Sequence, residues 1–574
     1  MAVVGEGTAR EARGVTLLKR VPAWLGVAVL LIACAGPAAA PGGQAEAPQP
    51  AVRKRITAGL RGDLPVLSEM LSRAGAGRIY GSTEVERLLN VGLQTTDDKL
   101  ELRPVLAEAV PTVENGGWRV FPDGRMTTTW KIRPNVVWHD GAPFTSADLL
   151  FTAIVVRDLE LPEWKEVAFD DIESVEAPDA STVVVNWKRP FIWANTMFSE
   201  RRGLPQPKHL LESVYLDNKA GYNSHAHWSD GYVGTGAYRL HDFVRSSHLI
   251  LQANDRFVLG RPSIDEIEVK FIQDANALAA NILAGAIDMT LSASSLTLEQ
   301  AAQVRDQRWD GRFVPDLSGS VGAFPQFIDP SPRIILDAQF RRALLHAIDR
   351  QLLVDTLQLG LSQVAHTNMV PSNPEYRDIE HRIVRYAFDP RRAAQLVEAL
   401  GYARGADGML RDGASQPLRV ELRSTPGREV NEKTTVAVAD MWRQVGVGVD
   451  VVVIPLQRNQ DREYRQTRPG FEVVGQPEDI YRLHSNQVPT PETRFVGDNR
   501  PRYSNPQLDN WIERYYVTIP RAERSEILGQ MYHHITDEVV LLSFFYEATL
   551  RLEASKLRNL STPLGWNGHQ WDVQ

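Results

Sequence analysis

Side chains able to do catalysis are plentiful in this 574-residue chain, but their spacing builds none of the familiar reactive constellations. No G-x-x-x-x-G-K-[ST] run occurs, so there is no P-loop to cradle a nucleotide's phosphates. H-E-x-x-H, the EF-hand loop, G-x-S-x-G and paired C-x-x-C are missing as well. His225 and His227 flank Ala226 in a loop-like stretch and could hold a metal ion. Without a third ligand they read instead as solvated loop histidines. His533 and His534 are adjacent in a helical pattern, where neighbours point to different faces. Gly234-Thr235-Gly236 lacks a lysine partner and is too short for a phosphate loop. It reads as a tight turn into a strand at residues 238–240. Together these features weigh against an enzyme.

The N-terminal residues set the compartment. Residues 1–20 carry Arg10, Arg13, Lys19 and Arg20 against Glu6 and Glu11, followed by an uncharged apolar run over 21–33. Thirteen residues at about 1.5 Å each span roughly 20 Å, too short for a bilayer core of about 30 Å. A basic start and a short apolar stretch describe a signal peptide over residues 1–33. Its ending, Leu31-Ile32-Ala33-Cys34, resembles a bacterial lipobox, with Cys34, the one cysteine of the chain, as the lipidated residue. Residues 34–51, rich in Ala, Pro, Gly and Gln, cannot bury enough apolar surface to offset their ordering entropy and read as a linker. The expectation is a protein outside the cytoplasm, lipid-anchored to the cell membrane. The overall charge of −8 gives no support for nucleic-acid binding. With 43% hydrophobic and 23% charged residues, the rest is a globular protein with room for large cores.

The elements read as mixed α/β. Turn chemistry at Pro122-Asp123-Gly124 separates two strands over 118–133, and Thr145 with Asp148 forms a capping box for the next helix. Val183, Val184 and Val185 mark another strand. Phe340, Leu344, Ala347, Ile348 and Leu352 give one apolar helical stripe behind Asp337. Residues 389–401 are the clearest helix, with Asp389 as N-cap, Pro390 at the first position and Gly401 at the end. A half-buried strand at 418–422, a helix over 431–444 and a buried strand at 450–454 follow. That alternation argues an α/β lobe over about 330–460.

Six segments also occur in a telling order: LRPVLAE at 102–108, TTWKIRPNVVWHDGAPFTSADLLFT at 128–152, VGTGAY at 233–238, LAGAID at 283–288, FRRALLHAIDR at 340–350 and DPRRAAQLVEALGY at 389–402. This collinear set resembles the extracytoplasmic solute-binding proteins of ABC importers, in particular the dipeptide/oligopeptide/nickel-binding family, solute-binding protein family 5. The resemblance implies an α/β, two-lobed periplasmic-binding-protein (type II, Venus-flytrap) fold with an extra inserted domain. It places the first lobe at 52–90, 200–312 and 536–574, the inserted domain at 91–199 and the second lobe at 313–535. The implied protein is a monomer, not an enzyme, with no cofactor and no metal. It would capture di- or oligopeptides between its lobes and pass them to a membrane permease driven by separate ATPase subunits. A non-peptide solute such as an oligosaccharide or nickel chelate, or a surface receptor without an importer, are the other readings.

Peptide-binding members of the family carry an aspartate in a D-x-x-D-P-like run that pairs with the ligand's α-ammonium. The corresponding stretch here, FEVVGQPEDIY at 471–481, has no Asp-Pro, and its carboxylates are Glu478 and Asp479. Either one facing an ammonium gives a charge-assisted bond; the other reading is a pair of solvated loop acids. Tyr481, Gln326 and Phe327 are the accompanying pocket residues, from their places near the implied loop and hinge.

Overall fold

The computed structural model describes residues 53–75 and 79–574. The signal peptide, Cys34 and the whole linker lie outside them. The described chain starts into β1 (Arg55–Leu60), where Ile56, Ala58 and Leu60 are buried. Four strands then make a separate antiparallel sheet: β2 (Trp118–Val120), β3 (Met126–Lys131), β4 (Ile172–Asp179) and β5 (Thr182–Trp187), in the order β2-β3-β5-β4. Along β3 the two-residue period shows directly: Met126, Thr128 and Trp130 are buried, while Thr127 and Thr129 are half-buried. Helix α1 (Ser146–Val156) begins at the expected capping box, with the Thr145 N–H donating to the Asp148 carboxylate at 2.8 Å.

Nine further strands join β1 in one sheet. They are β6 (Tyr238–Val244), β7 (His248–Ala253), β8 (Glu266–Phe271), β9 (Met289–Thr290), β10 (Gly311–Pro325), β11 (Arg419–Ser424), β12 (Gly448–Val453), β13 (Phe471–Gln476) and β14 (Leu542–Ala554). The order across the sheet is β12-β11-β13-β10-β14-β9-β1-β8-β7-β6. Through its middle run β10 and β14, antiparallel from Gly311 opposite Ala554 to Ala323 opposite Leu542. The two ends of this pair belong to different cores. Leu550 and Leu552 pack with Leu278, Ile282 and Ile287, whereas Leu542, Phe544 and Phe545 pack with Phe340, Leu344, Trp442 and Phe471. The protein is therefore two-lobed, with both lobes hung on one strand pair. Its register shifts between Leu317 and Ser320 and again between Val321 and Gly322, the kind of irregularity that lets a ladder bend.

The second lobe carries α2 (Ala338–His346), α3 (Pro390–Ala399), α4 (Glu429–Gln444), α5 (Pro506–Val517) and α6 (Arg521–Asp537). The start of α3 is the one its sequence spells out: the Asp389 carboxylate accepts the Arg392 N–H at 2.9 Å, Pro390 follows, and Gly401 sits beyond the end at a φ of 90°. Two expectations change. The 340–352 stripe is not one helix, because α2 stops at His346 and Asp349 caps a new helix over Arg350–Leu357. Leu352 is consequently 47% exposed. The valine run at 450–454 is not a buried strand, because β12 lies at the edge of the sheet. Val451 and Val453 are exposed there, and Asp450 pairs with Arg419 on β11. Strand propensity signals a pleated conformation but says nothing about which strand lies outermost. Among the described residues, no helix is long and apolar enough to cross a membrane.

One buried acid makes stability depend on pH. Glu86, on the helix Ser82–Leu89, has its carboxyl pushed up to about 8 by burial, with the Glu69 and Glu200 carboxylates adding to the effect. In the unfolded chain it titrates near 4.5. The stabilisation is therefore complete below about pH 4.5 and is lost as pH rises towards 8, at roughly 1 kcal/mol per pH unit. Glu86→Gln is expected to flatten that slope in denaturant melts between about pH 5 and pH 8; an unchanged slope would assign the pH dependence elsewhere.

Candidate functional site

Strand β13 ends at Gln476, and the chain then turns through Pro477 and Glu478 to Asp479. The two acids face different surroundings. Glu478 is turned inward, its carboxylate accepting the Val370 N–H at 2.8 Å and an Asn373 amide N–H at 3.2 Å. Burial pushes its pKa up, against the opposing effect of those two bonds. Asp479 is exposed. Its side chain accepts the Tyr481 N–H and the Tyr516 hydroxyl, both at 3.0 Å, which caps the short turn Ile480–Leu483. Burial, and then the Asp479 carboxylate, hold the Tyr516 hydroxyl far above its ordinary pKa, so it remains a donor. Among the described residues no basic side chain pairs with Asp479.

Asp479 lines a cavity of about 20 Å³ together with Arg482, Asp498, Arg500, Gln476 and Asn368. That volume admits about one water-sized group. Arg482 lies 3.3 Å from Asp498, and Arg500 lies 3.4 Å from Glu472. Tyr481, 38% exposed, stacks on His484 and meets the edge of Tyr516 at a centroid distance of 5.7 Å. Gln326 does not reach this cavity. Its amide is buried, donating to the Gln466 and Arg468 carbonyls and accepting the Ile328 N–H. Phe327 packs under the Arg341 guanidinium, with Tyr503 on its edge.

The other lobe contributes a segment that follows β5. Ile192 is buried in the second-lobe core with Tyr376, Leu508 and Tyr532. Next to it, Trp193 meets Tyr516 edge-on at 5.2 Å. Arg202 holds Trp193 from behind, its guanidinium 4.9 Å from the indole centroid and bonded to Thr196 and Glu166. A second contact between the lobes is the exposed ion pair of Lys433, on α4, with Glu299 at 3.3 Å. An aromatic contact beside Asp479 and a surface charge pair elsewhere thus join the two sides of the molecule.

The histidine pairs and the glycine turn lie outside this site. The His227 N–H donates to Nδ1 of His225 at 3.2 Å. The His227 ring, far from being solvated, is buried against Trp228 and Tyr232, and burial takes its pKa down to about 3. Adjacent aromatic rings in the fold, not visible in the local pattern, are what cover it. His533 bonds the Arg382 carbonyl while His534 bonds the Tyr503 hydroxyl, so the two point apart. Gly234 and Gly236 pass so close to the chain at Leu88–Leu89 that a Cβ on either would lie 2.0 or 2.4 Å from a carbonyl oxygen. The turn is a packing device.

Residues 101–476 match the family described as bacterial extracellular solute-binding proteins, family 5 middle. The chain belongs to this family. Oligopeptide-binding protein AppA of Bacillus subtilis is 23% identical over 475 residues, which cover 81% of this chain and 82% of AppA. The structure of Bacillus subtilis AppA in complex with a nonapeptide superposes with a TM-score of 0.63 at 20% identity, covering 91% of this chain and 99% of that one. NikZ from Campylobacter jejuni in complex with Ni(L-His) superposes with a TM-score of 0.67 at 19% identity, covering 90% and 99%. Members of family 5 are binding proteins, and this one has their two-lobed fold.

Of the residues singled out in the sequence, Asp479 and Tyr481 come together at the cleft, while Glu478, Gln326 and Phe327 are engaged by the protein itself. Trp193, Tyr516, Arg482 and Arg500 carry no local signal and were not among them. For this family 5 protein, Trp193→Ala is expected to cost about 1 kcal/mol of lobe–lobe contact, the worth of one aromatic pair. The radius of gyration from small-angle scattering should rise as the open form gains population. Unchanged scattering would show that closure does not depend on this contact.

Proposed function

We propose that this protein is the capture subunit of an ABC importer that closes its two lobes around peptides with a free N-terminus. The observation that carries the reading is Asp479: a carboxylate at the cleft, oriented by Tyr516 and the Tyr481 N–H, with no ion-pair partner among the described residues. A ligand α-ammonium supplies the missing cation through a charge-assisted hydrogen bond, shielded once the lobes close. AppA, oligopeptide-binding by name, supports peptide as the solute class. In this reading Cys34 carries the lipid anchor, residues 34–51 form the leash, and a monomer hands its solute to a permease and ATPase. The inserted domain takes residues 91–199, and the second lobe 313–535.

A second reading takes a single amino acid or its metal chelate as the solute, and is supported by NikZ, whose structure is a complex with Ni(L-His).

Native mass spectrometry of the gently purified protein is expected to show a ladder of bound peptides. Asp479→Asn should weaken free-N-terminus peptides by tenfold or more, the worth of a charged hydrogen bond, and leave N-acetylated peptides nearly unaffected. A single discrete non-peptide mass, unaltered by Asp479→Asn, would sink the peptide reading.

A further inference from the structure

A second, groove-like cavity lies away from the cleft. Its volume is about 510 Å³, comparable with the roughly 300–1,000 Å³ of small-molecule sites. One wall is a hairpin in which Gln94–Thr96 pairs with Leu102–Pro104. The facing wall is the C-terminal stretch from Trp566 to Gln570, and Leu259 adds apolar surface beside it. Both walls are rooted in the core built on β1, where Val105, Phe257, Leu564 and Trp571 are buried. No residue of the second lobe's cores takes part.

Hydrogen bonds hold both walls in place. At the turn of the hairpin the buried Asp97 carboxylate accepts the Lys99 and Glu101 N–H groups at 2.9 Å and the Arg103 Nε–H at 2.6 Å. On the facing wall the Asn567 side chain donates to the Asn559 carbonyl at 2.8 Å and accepts the Trp571 indole N–H at 3.0 Å. The Asn559 amide in turn donates to the Gln570 carbonyl at 3.0 Å. Trp566 is half-buried, and its own indole N–H is spent on the Ser561 hydroxyl at 2.8 Å. What remains of Trp566 to line the cavity is therefore the ring.

Charge then narrows the class of ligand. Two carboxylates, Asp97 and Asp98, are matched by two cations, Lys99 and Arg103, so the lining offers no net charge to a simple ion. Burial lowers the pKa of His569, whose ring lies 5.4 Å from that of Phe257, and so keeps it neutral near pH 7. The polar groups are of both kinds: Asp98 accepts, Lys99 donates, and Thr95, Gln570 and His569 can do either. A neutral ligand rich in hydroxyls needs that mixture, because each hydroxyl gives one hydrogen bond and accepts others. The C–H groups on one face of a sugar ring are partly positive and suit the negative π face of an indole.

We propose that this cavity is a carbohydrate site, in which a neutral pyranose stacks on Trp566 and hydrogen-bonds to Asp98, Lys99 and Gln570. The site is separate from the cleft and holds whether or not the cleft takes peptides. Its ligand is a free saccharide or one unit of a polymeric glycan, and the ring chemistry is the same for both.

The test is calorimetric titration of the purified protein with cellobiose, maltose and diacetylchitobiose, with co-sedimentation on insoluble cellulose and chitin in parallel. Saturable binding to at least one of these probes is expected, weakened tenfold or more in Trp566→Ala and in Asp98→Ala. Asp98 is exposed, so its replacement leaves the core untouched and separates lost binding from lost fold. Trp566→Tyr keeps an aromatic face and should retain most of the affinity. Asp479→Asn, at the cleft, should leave saccharide binding unchanged. Binding of a disaccharide would support the site with a free saccharide as its ligand, and binding of a polymer alone would support it with a glycan surface. Saccharide binding lost in Asp479→Asn but kept in Trp566→Ala would put the sugar in the cleft and overturn the proposal. No saturable binding to any probe, or binding unchanged in both Trp566→Ala and Asp98→Ala, would overturn it as well.

Discussion

The β10–β14 ladder is the constraint on which the other features depend. Its two strands carry the sheet from one lobe to the other, so opening the cleft by breaking the pairing would forfeit a long run of ladder hydrogen bonds. Any motion must be absorbed where the ladder is already irregular, at Leu317–Ser320 and Val321–Gly322. That place is also where the strands approach most tightly: a Cβ on Gly322 would lie 2.2 Å from the Leu542 carbonyl oxygen. The Gln476 amide oxygen accepts from Ser320 at 3.0 Å and from Ser543 at 2.7 Å, clamping β13 to both central strands at the same level. Gln476 stands three residues before Asp479. The irregular part of the ladder and the loop that carries Asp479 are thus joined through Gln476.

The polar groups of the second lobe divide by the same geometry. Residues directed into the lobe, such as Glu478, Gln326 and Glu472, find donors or acceptors there and hold loops in place. Residues at the cleft, Asp479, Arg482 and Arg500, lie at the boundary where a charge can be either solvated or covered. Beside them lies Trp193, from the segment after β5, braced by Arg202. An apolar lid over a charged floor excludes water when closed, which strengthens whatever charge pairing a solute makes beneath it.

Much of the fold was legible locally. The α3 helix, the capping box at Thr145 and the alternation along β3 depend on contacts within a few residues, which spacing records. The family segments between residues 102 and 402 fall inside the matched region for the same reason: they encode turns, caps and core positions of a shared architecture. Local reading failed for two kinds of reason. The 450–454 run lies at a sheet edge, which only long-range pairing decides, whereas the new cap at Asp349 and the rings that cover His227 are near in sequence but carry no periodic signal.

The sequence by itself determined the two-lobed α/β class and the family, and it singled out one loop with two candidate carboxylates. Only the tertiary structure separated the two, turning Glu478 inward and leaving Asp479 exposed. Glu478 and Asp479 are chemically near-equivalent neighbours, and nothing in their spacing separates them. Val370 and Asn373, more than a hundred residues earlier, fold against Glu478 and occupy its oxygens. Tyr516, thirty-seven residues later, orients Asp479, which has no basic partner among the described residues. The availability of a charged group is set by the donors that surround it in space, and a linear chain holds that information only once it has folded.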